Sequence, residues 1–139
     1  MRHLALFILT LCLALPAAAE RKQSFGSLDV HYSIFNSSFL QPQVAAANGL
    51  VRGPKQGVVN IALLDAGKAR EARVTGSVRN LLGQSRALEF KQIREGEAIY
   101  YIAQFPFDSR EILHFDFKVQ ASGGPEHSFK VTQEVFPEE

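Results

Sequence analysis

An all-β fold, a two-sheet sandwich of immunoglobulin-like type with about seven strands and one short helical crossover, is what this sequence predicts. Three observations carry that expectation. Apolar and polar residues alternate with a period of two along most of the chain. Turn residues, mostly glycine-containing, interrupt the alternation at short intervals. A single segment breaks the pattern with helix signals. A small closed barrel fits the same pattern and is the alternative.

The first segment is of another kind. Arg2 and His3 form a short positive start, Leu4 to Leu15 are apolar apart from Thr10, and Pro16-Ala17-Ala18-Ala19 supplies the small residues a signal peptidase reads. The apolar run is too short for a permanent transmembrane helix. The expectation is a cleaved signal peptide over 1–19, cut between Ala19 and Glu20, and a single β-sandwich domain over 20–139. Cys12, the one cysteine, lies inside the leader, and Leu11 stands where lipid attachment requires a small residue. The mature chain therefore has no thiol for a disulfide, a nucleophile or a metal.

The strands follow in order. In 28–34, Leu28, Val30, Tyr32 and Ile34 share one face, against Asp29, His31 and Ser33 on the other. Pro42 to Gly49 places proline near a helix start, three alanines within it and Asn48-Gly49 at its end, which predicts two helical turns crossing between sheets. Further strands are expected over 58–64, 73–82, 86–93, 98–105, 113–119 and 128–136, separated by turns such as Asp65-Ala66-Gly67-Lys68 and Ser122-Gly123-Gly124-Pro125. In 86–93 the phase slips, because Leu88 and Phe90 share a face that Ile93 does not; a bulge near Lys91-Gln92 would reconcile them. Phe90, Phe105, Phe115, Phe117 and Phe129 fall on inward faces and are expected in the core.

Charge excludes some partners. The chain has 15 Lys and Arg against 14 Asp and Glu, and loss of Arg2 with the leader makes the signs equal. They are interspersed, so no basic stripe exists to bind nucleic acid or an anionic membrane.

Candidate chemistry is sparse. Of the histidines, His31, His114 and His127 survive cleavage. Matching the inward faces of the last two strands sets His127 opposite Val119 or Ala121, with His114 far along the ladder on the other face, so these two share no metal. Gly83-Gln84-Ser85-Arg86-Ala87 approaches a nucleophile elbow, but Leu88-Glu89-Phe90 continues as strand where the elbow needs a helix. Glu95 with Glu97, and Asp108 with Glu111, flank turns and read as solvated pairs. Asn36-Ser37-Ser38 is a glycan acceptor only on a eukaryotic secretory route and otherwise a strand-end turn. Catalytic, cofactor-binding and metal residues: none are expected.

Three aromatics stand apart. Phe35 has the outward parity of its strand, Phe39 precedes the helix and Phe107 follows Pro106 in a loop. Phe35, Phe39 and Phe107 form the candidate interaction patch, with at least one of them expected to be buried.

The run Lys22-Gln23-Ser24-Phe25-Gly26, then Val30-His31-Tyr32 and Phe35-Asn36-Ser37-Ser38-Phe39-Leu40, resembles the opening of a proteobacterial family of exported proteins, domain of unknown function 4426. Asn80-Leu81-Leu82-Gly83-Gln84 and Arg94-Glu95-Gly96-Glu97-Ala98-Ile99-Tyr100-Tyr101 are similar to its later blocks. The resemblance covers essentially the whole mature chain and implies a Gram-negative periplasmic location and one small β-domain. It brings no active site with it. The functional expectation is a periplasmic, non-enzymatic interaction module with a cell-envelope protein as partner. A small-ligand binder using the aromatic end of the sandwich is the alternative, and an envelope hydrolase is the weakest reading.

Overall fold

Alternation becomes two antiparallel sheets in the computed structural model, which describes residues 21–137. The expected leader and its cleavage point lie outside the described residues. Ten strands and one short helix run in the order β1 (Arg21–Phe25), β2 (Leu28–Asn36), a 3₁₀ turn (Ser37–Phe39), α1 (Pro42–Ala47), β3 (Gln56–Asp65), β4 (Lys68–Ala69), β5 (Ala72–Arg79), β6 (Ser85–Leu88), β7 (Lys91–Glu95), β8 (Ala98–Pro106), β9 (Glu111–Ala121) and β10 (Glu126–Val135). The first sheet has the order β1-β2-β3-β8-β7, with β4 also on β3; the second has the order β10-β9-β5-β6.

The inner faces supply the core. Val30, Tyr32, Val59, Ile61, Tyr101 and Phe105 of the first sheet meet Val78, Phe115, Phe117, Val119, Phe129 and Val131 of the second, all buried. Aromatic rings span the layer: Phe105 lies edge-on to Phe115 at 5.3 Å, and Tyr32 lies 5.3 Å from Phe129. The Tyr101 hydroxyl accepts from the Ala72 N–H at 2.8 Å and from Gln92 Nε2 at 3.0 Å, joining the sheets by a polar contact.

More strands exist than alternation alone marks. β1 and β4 are too short to show a period, and Arg21–Phe25 is identified only by its pairing with β2. The run 86–93 is two strands rather than one bulged strand. β6 pairs with β5 in the second sheet and β7 with β8 in the first, so Glu89 and Phe90 carry the chain from one layer to the other. Ile93 pairs with Tyr100 on the outer face of the first sheet, which is why it does not share the parity of Leu88.

The helix is where the sequence places it, but it does not cross between sheets. β2 and β3 are neighbours in one sheet, and α1 belongs to a long excursion from it. That excursion is laid over the outer face of the first sheet. Lys91 Nζ donates to the Asn48 carbonyl at 2.7 Å, and the Gln104 side chain exchanges two hydrogen bonds with the Val51 backbone at 2.9 and 2.7 Å. Outward-facing Val58 and Ile102 are buried in consequence.

Candidate functional site

The topology sends all the long connections to one end. The β2–β3 excursion, the β5–β6 loop, the β8–β9 loop and the segment after β10 meet there, while tight turns close the other end.

Asn36 and Ser37 organise the first of these. Asn36 caps the 3₁₀ turn, its Oδ1 accepting from the Ser38 N–H at 3.1 Å; its Nδ2 donates to the carbonyls of Pro54 and Phe136 at 3.1 and 3.2 Å. Ser37 is fully buried, its hydroxyl donating to the Gly53 carbonyl at 3.0 Å and accepting from the Gly53 N–H at 2.9 Å. With the polar side chains used inward, Phe39 is held outward and is 73% exposed.

The structure brings Phe35, Phe39 and Phe107 to one cleft of about 350 Å³, with Val135 and Phe136 at its other side. Their roles differ. Phe39 and Phe136 are exposed, Phe35 is half-buried, and Phe107 is buried. Phe107 is therefore the floor of the cleft and not part of an exposed patch. Its N–H donates to the Lys55 carbonyl at 3.0 Å, and its ring lies 6.1 Å from that of Phe105. Arg110 stands over Phe136 with its guanidinium 5.0 Å from the ring and pairs with Glu134 at 2.9 Å. The hydrogen bond that Arg110 donates to Glu134, and then the charge of that carboxylate, raise the Arg110 pKa above its ordinary value.

A second cleft, of about 710 Å³, opens between the β5–β6 and β8–β9 loops and shares Phe107 with the first. Among the described residues, the exposed large hydrophobics are Phe39, Val44, Val51, Leu81, Leu82, Ile112 and Phe136. Every one of them belongs to this end or to the excursion that starts from it. The sequence singled out Phe39 but missed Leu81, Leu82 and Phe136. Leu82 keeps the parity of Val74 and Val78 on paper, whereas β5 ends at Arg79.

The remaining sequence candidates are dispersed. His31 is on the outer face of the first sheet, opposite Ala62. His114 is on the outer face of the second, its Nδ1 3.0 Å from Thr132 Oγ1. His127 lies opposite Val119, one of the two positions the register argument allows, and stacks on Phe25 with centroids 4.4 Å apart. No group of three or more His, Cys, Asp or Glu among the described residues is arranged to hold a metal. Ser85 opens strand β6, Glu95 and Glu97 are exposed at a hairpin, and Glu111 Oε2 accepts from the Asp108 N–H at 3.3 Å to fix the β8–β9 loop. No helix among the described residues is long and apolar enough to cross a membrane.

Comparison with known proteins assigns the fold and the lineage. The family model described as domain of unknown function DUF4426 matches residues 22–138. The chain belongs to the DUF4426 family. A DUF4426 family protein from Pseudomonas aeruginosa is 52% identical, with a TM-score of 0.82 over 88% of this chain and 98% of that one. A uropathogenic Escherichia coli FetP, expressed recombinantly in the periplasm, matches at 11% identity and a TM-score of 0.54, covering 86% of this chain and 93% of FetP. A copper-bound variant of FetP matches at 10% identity and a TM-score of 0.55, covering 86% and 95% of the two chains. At those identities the likeness of this DUF4426 chain to FetP is one of fold alone. Among curated proteins none matches the sequence.

Proposed function

We propose that this DUF4426 protein is a periplasmic, non-enzymatic interaction module that engages a protein partner through its loop end. One observation carries the reading: the exposed large hydrophobics of the described chain gather at that end and its excursion. Scattered apolar residues on a surface are ordinary, whereas a concentration of them marks a contact. They stand on a framework held by Asn36, Ser37 and Asn80, so little ordering is required on binding. Export is supported by the leader-like 1–19 segment. Copper, which the FetP variant binds, is not part of the proposal, because His31, His114 and His127 lie at three separate places.

The test is crosslinking in intact cells followed by capture, comparing the wild-type chain with Phe39→Ser and Phe136→Ser. The expected result is one specific envelope protein captured by the wild type and lost from variants that keep its melting temperature. An identical captured set from all three chains overturns the reading. Osmotic shock and intact mass check the address: the released protein should begin at Glu20.

A second reading has its own support. The cleft floored by Phe107 has about 350 Å³ and four phenylalanines in its lining, within the size range of small-molecule sites. An apolar ligand there would raise the melting temperature of the wild-type chain, and no member of an apolar-metabolite panel doing so would remove this reading.

A further inference from the structure

We propose that the partner closing the loop end is a second copy of this chain, in a two-fold pair where Leu82 of each molecule covers the cleft of the other. This rests on the reading of the loop end as an interaction surface.

The projecting element is the β5–β6 loop. Leu81 is 68% and Leu82 is 84% exposed, yet the loop carrying them is tightly bonded. Asn80 Oδ1 accepts from the N–H groups of Leu82 and Gln84, both at 3.0 Å, and Asn80 Nδ2 donates to Gln84 Oε1 at 2.8 Å. Gly83 takes a φ of 82°, a backbone state that suits glycine, and its N–H donates to the Asn80 carbonyl at 3.1 Å. A leucine on a preorganised loop loses little freedom when it docks.

The receiving element lies beside it. The 710 Å³ cleft is floored by Val78, Phe107 and Leu113, all buried, and Leu82 stands on its rim. Projection and recess thus adjoin on one surface, as an isologous contact requires: residue i meets j, and j meets i. Charge follows the same geometry. Arg86 lines the cleft from the β6 side, and Asp108 and Glu111 line it from the β8–β9 loop. Among the described residues neither Arg86 nor Asp108 forms an ion pair. A two-fold axis along the cleft sets Arg86 of each copy opposite Asp108 of the other.

Sign agrees with this choice. Asp108, Glu111 and Glu134 share the end with the cations, so the field is not of one sign and does not select an anionic lipid surface.

The experiment is sedimentation velocity of the purified chain, as processed by the expressing cell, from about 1 to about 100 μM. The wild type should pass from one chain to two. Leu82→Glu, at a position too exposed to unfold the protein, should stay single across the range with an unchanged melting temperature. Arg86→Glu and Asp108→Arg should each weaken pairing by at least about tenfold, and a one-to-one mixture of the two should regain it. A wild type that stays single, a pair indifferent to Leu82→Glu, or polymers growing without limit would overturn the proposal. Should the wild type stay single while Leu82→Glu still loses a crosslinked envelope protein, the surface reading stands and the self-pairing goes. If neither response is seen, both go.

Discussion

The two ends of the sandwich achieve order by opposite means. At the turn end the backbone makes the reversals: the hairpins turn at Gly26, Gly67, Gly96 and Gly123, each with positive φ, while side chains such as Arg70 and Gln120 brace the finished turns. At the loop end side chains do it. Ser37 is the one buried polar residue recorded among the described residues, and it stands two positions from the largely exposed Phe39. The usual assignment of polar out and apolar in is locally reversed, because Asn36, Ser37 and Asn80 spend their hydrogen-bonding capacity on loop backbone. Backbone-made turns leave nothing for a partner to grip, whereas side-chain-made loops leave apolar groups at the surface.

Four substitutions probe this contrast. The largest effect is expected from Phe107→Ala, which empties the floor of the loop-end cleft and should cost about 3–5 kcal/mol in urea unfolding. A loss below about 1 kcal/mol would show the floor to be solvated. Next is Gly57→Ala. A Cβ there would overlap the Phe105 ring, which is fully buried and has Phe107 and Phe115 beside it. About 1–3 kcal/mol of destabilisation is expected, and a neutral result would mean the ring retreats.

At the turn end, Gly26→Ala meets no atom and strains only φ, at 64°. The expected cost is about 1 kcal/mol, from the left-handed backbone alone. If it equals or exceeds that of Gly57→Ala, the contrast between backbone strain and packing is lost. The smallest effect on stability is expected from Phe39→Ser, within about 0.5 kcal/mol of wild type in thermal melts. A loss of several kcal/mol would make Phe39 a core residue and close the loop-end surface reading.

Much of the sheet architecture was legible. Matching Phe115, Phe117 and Val119 to Phe129 and Val131 narrows the register of β9 with β10 to His127 opposite Val119 or Ala121, and the structure takes the first. Parity works where a strand has one wet face and neighbours that fix its phase. It fails at Glu89 and Phe90, where the chain changes sheets and the meaning of inward changes with it. It also fails for Val58, whose outward face is roofed by the β2–β3 excursion, a tertiary event with no local signal. Phe39 and Phe107 illustrate the limit at the site. Both are phenylalanines in irregular segments, and only the topology makes one a floor and the other a projection.

The strand order has a consequence for how the chain acquires its shape. Gly57 must find Phe105 to join β3 to β8, and Gly76 must find Phe117 to join β5 to β9, closures of roughly forty to fifty residues each. The two closures interleave, since β5 lies within the span of the first and β8 within the span of the second. Neither layer can be completed while the other's middle strand is still wandering. Folding is therefore expected to be a cooperative event in the millisecond-to-second regime of non-local β topologies, which stopped-flow refolding would check. Once formed, the layers should resist opening one at a time, so the amides of β3, β5, β8 and β9 should exchange with a common protection, while those of β1 and β6 at the sheet edges exchange first.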